Sequence, residues 1–201
     1  MSRFIKDDKS IMSLTLSQIG LIIATGILIV AIFSIIFFND WQKNAEIKNI
    51  ATSFTTTIQA MDSRFFENTT KFQFPEKNYN YNISISTEYI IISTEGSQNK
   101  KLSIKERFII NPWPRFSDQE WKTGQELHNY CYNNFGHSGT NADPITQDAS
   151  NILKNEKVNQ SPNLALNPLY IQIKSPVYIE KVNIYCDTGY KQEYIIIYQK
   201  E

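Results

Sequence analysis

The sequence predicts an α+β fold: a long N-terminal helix, first hydrophobic and then amphipathic, followed by an antiparallel β-sheet head that carries a helical insert. Three observations predict it. No charged side chain occurs from Ser10 to Asn39. Apolar residues then recur at helical spacing as far as Phe65. Beyond Pro75, two groups of short alternating segments flank a stretch with helix signals.

The charge-free run is the first element. A bilayer core about 30 Å thick is crossed by roughly 20 apolar residues in a helix. Ile19 to Phe38 supplies that length, interrupted by Gly20, Thr25, Gly26 and Ser34. A cleaved secretory signal has a shorter apolar core, and no small-x-small cut site follows "IIFFNDWQKN". A buried core helix would carry a polar face. The expected location is therefore the cell membrane, with the N-terminus inside and the head outside, or an extracellular filament. Arg3, Lys6 and Lys9 before the span against Lys43 and Lys48 after it give the inside N-terminus.

Within the run, Ser10, Ser13, Ser17, Gly20, Ala24, Ile27, Ala31 and Ser34 step alternately by 3 and 4, and all but Ile27 are small. Small residues along one face let a neighbouring helix approach closely. Ser13, Ser17, Gly20, Ala24, Ala31 and Ser34 are thus the candidate helix-packing residues.

The amphipathic continuation is the second element. Ile47, Ile50, Phe54, Ile58, Met61 and Phe65 form one stripe, with Lys43, Lys48, Gln59 and Asp62 on other faces. No Gly or Pro lies between Gly26 and Pro75, so one helix is expected from about Ser13 to about Phe66. The alternative is an anchor followed by a separate helix. The domain reading is a charged leader over 1–10, a span over 11–40, the amphipathic continuation over 41–66 and a head over 67–201 with its insert at about 111–168.

In the head, "YNYNISIS", "TEYIIIST" and "KKLSIKERFII" read as strands, with Ser86-Thr87-Glu88 as a tight turn. "NPWPRF" stops regular structure. "SDQEWKTGQELHNYCYNN" reads as a helix capped by Ser117 with Glu120 three residues on. "ITQDASNILKNEK" reads as a short helix and "NQSPNLALNP" as irregular. "LYIQIK", "VYIEKVNIY" and "EYIIIYQ" close the chain as strands, separated by turns at "SP" and "CDTGY".

The N-terminal segment "DDKSIMSLTLSQIG" resembles the class III (prepilin-type) signal of archaeal type IV pilin-like and archaellin-like surface proteins. The stretch "FQFPEKNYNYNISISTEYIIIST" is similar to the strand pair that follows the long helix in that family, so the resemblance covers about residues 7 to 95. It implies cleavage by a prepilin-peptidase-like enzyme between Ser10 and Ile11, with Lys9, Ser10 and Ile11 as processing residues. It further implies like or related pilin-type subunits as partners through the N-terminal helix, with the membrane holding the chain before assembly. The chain departs from the family in having Ser10 where Gly or Ala is usual, and it lacks the glutamate that bacterial pilins carry early in the helix. The competing reading is a single-span, membrane-anchored extracellular binding or sensing module that does not polymerise.

Chemistry is sparse. Lys plus Arg total 20 and Asp plus Glu total 20, so no net charge draws the chain to nucleic acid. A Gly-rich phosphate loop, Gly-x-Ser-x-Gly and His-Glu-x-x-His are all missing from the sequence, and neither an enzyme nor a cofactor is expected. Cys131 and Cys186 are expected to form a disulfide, which suits an exterior head. A zinc site adding His128 and His137, or two free buried thiols, are the alternatives. Asn68, Asn82 and Asn159 begin Asn-x-Ser/Thr sequons and are glycosylation candidates. The aromatics of "NPWPRFSDQEW" either bind a partner or sugar, or anchor the insert by packing.

Overall fold

The computed structural model describes residues 4–96, 101–116 and 118–200, with side chains from Leu16 onward except at position 36. The fold is α+β, and the chain divides into two compact units, Met1–Lys43 and Asn44–Glu201. Helix α1 spans Phe4–Asp62. It starts earlier and stops sooner than the periodicity implies. Ser63 N–H bonds to the Gln59 carbonyl and Arg64 N–H to the Met61 carbonyl, closing the last turn. Phe65 therefore leaves the apolar stripe and stands 86% exposed, while Ile47, Ile50, Phe54, Ile58 and Met61 are buried.

Among the described residues, eight strands form two four-stranded sheets rather than one. The first contains β1 (Asn68–Phe72), β7 (Val177–Tyr185), β8 (Lys191–Gln199) and β5 (Trp113–Pro114), in the order β1-β7-β8-β5. The second contains β4 (Lys101–Arg107), β3 (Tyr89–Glu95), β2 (Tyr81–Ile85) and β6 (Leu169–Ile171), in the order β4-β3-β2-β6. All pairings are antiparallel except β5 with β8. The β2–β3 turn forms where expected: Ser86 Oγ accepts from Glu88 N–H and Tyr89 N–H, fixing the chain reversal. Strands β1 and β5 lack sequence alternation long enough to announce them, and pairing with a longer neighbour creates them.

The amphipathic half of α1 is enclosed by both sheets. Its Ile47, Ala51, Phe54 and Ile58 share one core with Ile83, Ile85, Ile90 and Ile92 of the second sheet and Val177, Ile179, Ile195 and Ile197 of the first. A second core lies on the other face of β7–β8, where Val182, Ile184, Tyr194, Ile196 and Tyr198 meet Trp113, Trp121 and the helices of the insert. Strand β8 is thus buried on both faces. That is why "YIIIY" is a continuous apolar run and not an alternating one.

Two helices build the insert. Helix α2 covers Gly124–Phe135, capped by Thr123, with Glu126 closing the capping box from N3. The start expected at Ser117 lies outside the described residues, and the chain from Asp118 to Glu120 forms turns. The motif S/T-x-x-E occurs twice in this stretch, and the second copy is the one that caps. Trp121, between the two, is buried in the second core and holds the approach to the helix in place. Helix α3 covers Gln147–Leu166 and runs through the segment expected to be irregular. Pro162 removes one helical hydrogen bond, to the Val158 carbonyl. Buried Leu164 and the bond from Asn167 N–H to the Asn163 carbonyl carry the helix one turn further.

Candidate functional site

Three features of the described chain carry functional potential: the apolar stretch of α1, a lysine latch at the C-terminal end of that helix and a cleft in the head. The first comes from α1 above Lys43. Every described side chain from Leu16 to Asn39 is exposed. Ser17, Gly20, Ala24, Ala31 and Ser34 fall on one face by their spacing, and a side chain added at Gly20 or Gly26 would meet nothing. The hydroxyls of Thr25 and Ser34 donate to the Leu21 and Val30 carbonyls at 2.8 Å, which satisfies them without water. The helix is long and apolar enough to cross a membrane. The backbone at Lys9, Ser10, Ile11 and Ser13 is helical, and their side chains lie outside the described set.

The latch sits where α1 ends. Alternate residues of a strand share a face. On the α1-facing side of β7 these are Val177, Ile179, Lys181 and Asn183, apolar first and then polar. The change falls where the helix stops. The last turn of α1 holds no basic residue of its own. Lys181, 2% exposed, supplies the cation from the sheet: its ammonium donates to the carbonyls of Asp62 and Arg64, each at 2.6 Å, and pairs with Glu193 at 2.6 Å. Burial alone would raise the Glu193 carboxyl. The bonds from Lys181 and Lys191 outweigh it and hold the group below its usual range.

The cleft, about 590 Å³, opens between α3, the β2–β3 turn and the start of β8. Its floor is tied together by the Thr87 and Ser161 hydroxyls, 2.7 Å apart, and by the Tyr89 hydroxyl donating to the Ala165 carbonyl. Lys154 and Lys157 enter from α3, Glu88 from the turn, and Tyr190, Gln192 and Tyr194 from the end of the chain. Lys157 donates to the Asn111 carbonyl at 2.6 Å, and its ammonium lies 5.5 Å from the centre of the Tyr194 ring.

The two tryptophans of "NPWPRFSDQEW" serve packing. Trp113 and Trp121 are buried edge to face, 4.7 Å between centroids. Arg115, also buried, lies 3.4 Å over the Trp121 ring and donates to the Trp121 carbonyl and to Gln160. Trp113 Nε1–H donates to the same Gln160 oxygen, which fastens α3 to β5.

Cys131 and Cys186 are both free and both buried, so the expected disulfide is not formed. From Gly136 to Pro168 the insert is poor in apolar residues, which alone would leave it weakly held. Instead Trp113, Trp121, Leu127, Ile145 and Leu153 give it a core of which Cys131 is part. Cys186 is held separately at the end of β7 by its bridge to Ile145 and its bond to the Tyr190 carbonyl. Burial, with a further push from Glu156, raises the Cys131 thiol to about 12. We expect both thiols to resist an Ellman-type reagent in the native protein and two per chain to titrate in denaturant without reductant; fewer than two would contradict the unbonded state.

The histidines do not join the cysteines. His128 Nδ1 lies 2.8 Å from the Ser138 carbonyl and its Nε2 lies 3.7 Å from Glu67, whereas His137 pairs with Asp143 at 2.7 Å. Among the described residues no three His, Cys, Asp or Glu side chains converge to hold a metal ion. Asn68 on β1, Asn82 on β2 and Asn159 on α3 all present exposed side chains. The lysine latch and the cleft were not legible in the sequence, because each joins residues far apart in the chain. No protein-family model matches the chain, and neither a curated protein nor a solved structure is significantly similar to it.

Proposed function

We propose that this chain is a pilin-like structural subunit, major or minor, of an extracellular filament, held in the membrane by α1 before assembly. In this reading the helix is processed between Ser10 and Ile11 by a prepilin-peptidase-like enzyme, and the mature helix packs against like or related subunits through its small-residue face. The observation that carries it is the exposed apolar stretch of α1 with that face unfilled. Lipid alone gives no reason for a row of small residues, whereas a neighbouring helix does. The cleft favours a second reading, a membrane-anchored binding module that never polymerises.

The test replaces Gly20 and Ala24 together with leucine. Leucine favours membrane insertion, so export should be unchanged, while the added side chains keep neighbouring helices apart. Crosslinking and sedimentation should show assemblies for the wild-type chain and loss of most of them for the double variant. Mass spectrometry of surface protein should give Ile11 as the first residue. Unchanged assemblies in the variant, or an intact Met1, would leave the anchored module as the better account.

A further inference from the structure

The geometry points to the cleft between α3 and β8 as a binding site for a monoanionic sugar of the uronic acid class, with Lys157 receiving the carboxylate. This does not depend on whether the chain assembles into filaments.

Lys157 is half-buried on α3 and spends one N–H on the Asn111 carbonyl. Among the described residues no carboxylate lies within ion-pair distance of it, and Asp62 acts on it only from further away. A lysine ammonium removed from water without a carboxylate partner is costly. Burial accordingly lowers its proton affinity, to about 8, and a bound carboxylate would reverse that change. Lys154, one turn earlier and exposed, lines the same cleft and adds a second cation.

The other walls select against a polyanion. Glu88 and Glu193 line the cleft as well; Lys181 and Lys191 already compensate Glu193, while Glu88 is an acceptor for hydroxyl groups. Gln192 accepts the Tyr194 hydroxyl on its side-chain oxygen, which leaves its amide N–H groups to donate. The Tyr190 side chain, exposed in the turn, with Val158 and Pro162 on the opposite wall, offers apolar surface to the C–H face of a ring. One negative charge, several hydroxyls and a ring meet these requirements together. The volume lies within the range of ordinary small-ligand sites.

The test uses the full chain in detergent micelles and titrates D-glucuronate, D-glucose, acetate and N-acetyl-aspartate amide, followed by calorimetry or saturation-transfer NMR. Glucuronate should bind saturably, and the other three about tenfold more weakly or not at all. Lys157→Met should weaken glucuronate by about tenfold or more. Ala165→Trp, which fills the cleft from an exposed helix position, should abolish binding while leaving the far-UV spectrum unchanged. Failure of glucuronate to bind overturns the proposal, as does binding that survives either variant. Glucose binding equally well would show that charge is not read. Acetate or the aspartate amide binding equally well would show that the sugar ring is not read. Either result also overturns it.

Discussion

Replacing Phe54 with alanine is expected to lower the unfolding free energy of the head by about 3–5 kcal/mol, whereas Phe65→Ala should change it by less than about 0.5 kcal/mol. The two residues belong to one apolar stripe in the sequence, and the fold separates them. Phe54 is fully buried among aromatic rings, with centroids 5.1 Å from Phe72, 5.2 Å from Phe74 and 6.4 Å from Phe108. Truncation there removes the transfer free energy of the ring and leaves a hole between both sheets and the helix, which close-packed neighbours fill only in part. Phe65 lies past the end of α1 and has little to lose. Urea unfolding followed by tryptophan fluorescence checks this, because Trp113 and Trp121 sit in the second core and report loss of the β7–β8 wall that both cores share. Equal costs at the two positions would mean that α1 continues through Phe65.

The stripe from Ile47 to Met61 was legible because one partner surface surrounds it. A helix face buried by both sheets keeps its period of 3.6 whatever the order of the strands. The division into two sheets was not legible. The segments "YNISI" and "YIIIST" announce strands but not their partners, and β6 joins β2 across more than eighty residues of chain. The end of α1 was hidden for a similar reason. Nothing between Asp62 and Phe65 breaks a helix, and the group that caps its end, Lys181, comes from β7.

The candidate sites divide along the same line. Gly20, Ala24 and their neighbours could be read from spacing alone, since a helix face is a local property. The cleft could not, because Glu88, Lys157 and Tyr194 become neighbours only through the tertiary fold. The cysteines misled because an even count in a chain expected to face the exterior is compositional evidence. It carries no information about whether tryptophans elsewhere in the chain already supply the insert with a core.

Lys181→Met is expected to lower stability by about 3 kcal/mol, an effect that no sequence pattern would suggest. Methionine fits the length of the lysine stem, so packing changes little and the loss is polar. It leaves the Asp62 and Arg64 carbonyls without the donor that satisfies them, at the negative end of the helix dipole. It also removes one of the two cations that hold Glu193 ionised, leaving Lys191 at 2.5 Å. The pH dependence separates these two losses. The Glu193 carboxyl lies below its ordinary value of 4.5 in the folded protein, so its contribution is present above that pH and fades as the pH falls through the folded value. The cost of Lys181→Met should therefore be greatest near neutrality and shrink in acid, where Glu193 is protonated and only the two carbonyls still miss their donor. Urea midpoints for both proteins near pH 7 and at an acid pH below the folded value of Glu193 give the comparison. A cost under about 1 kcal/mol at neutrality would mean that water replaces the ammonium and that the latch does not hold α1 to the sheet. A cost identical at both values would mean that the ion pair with Glu193 adds nothing, and that Lys181 acts only as the cap of the helix.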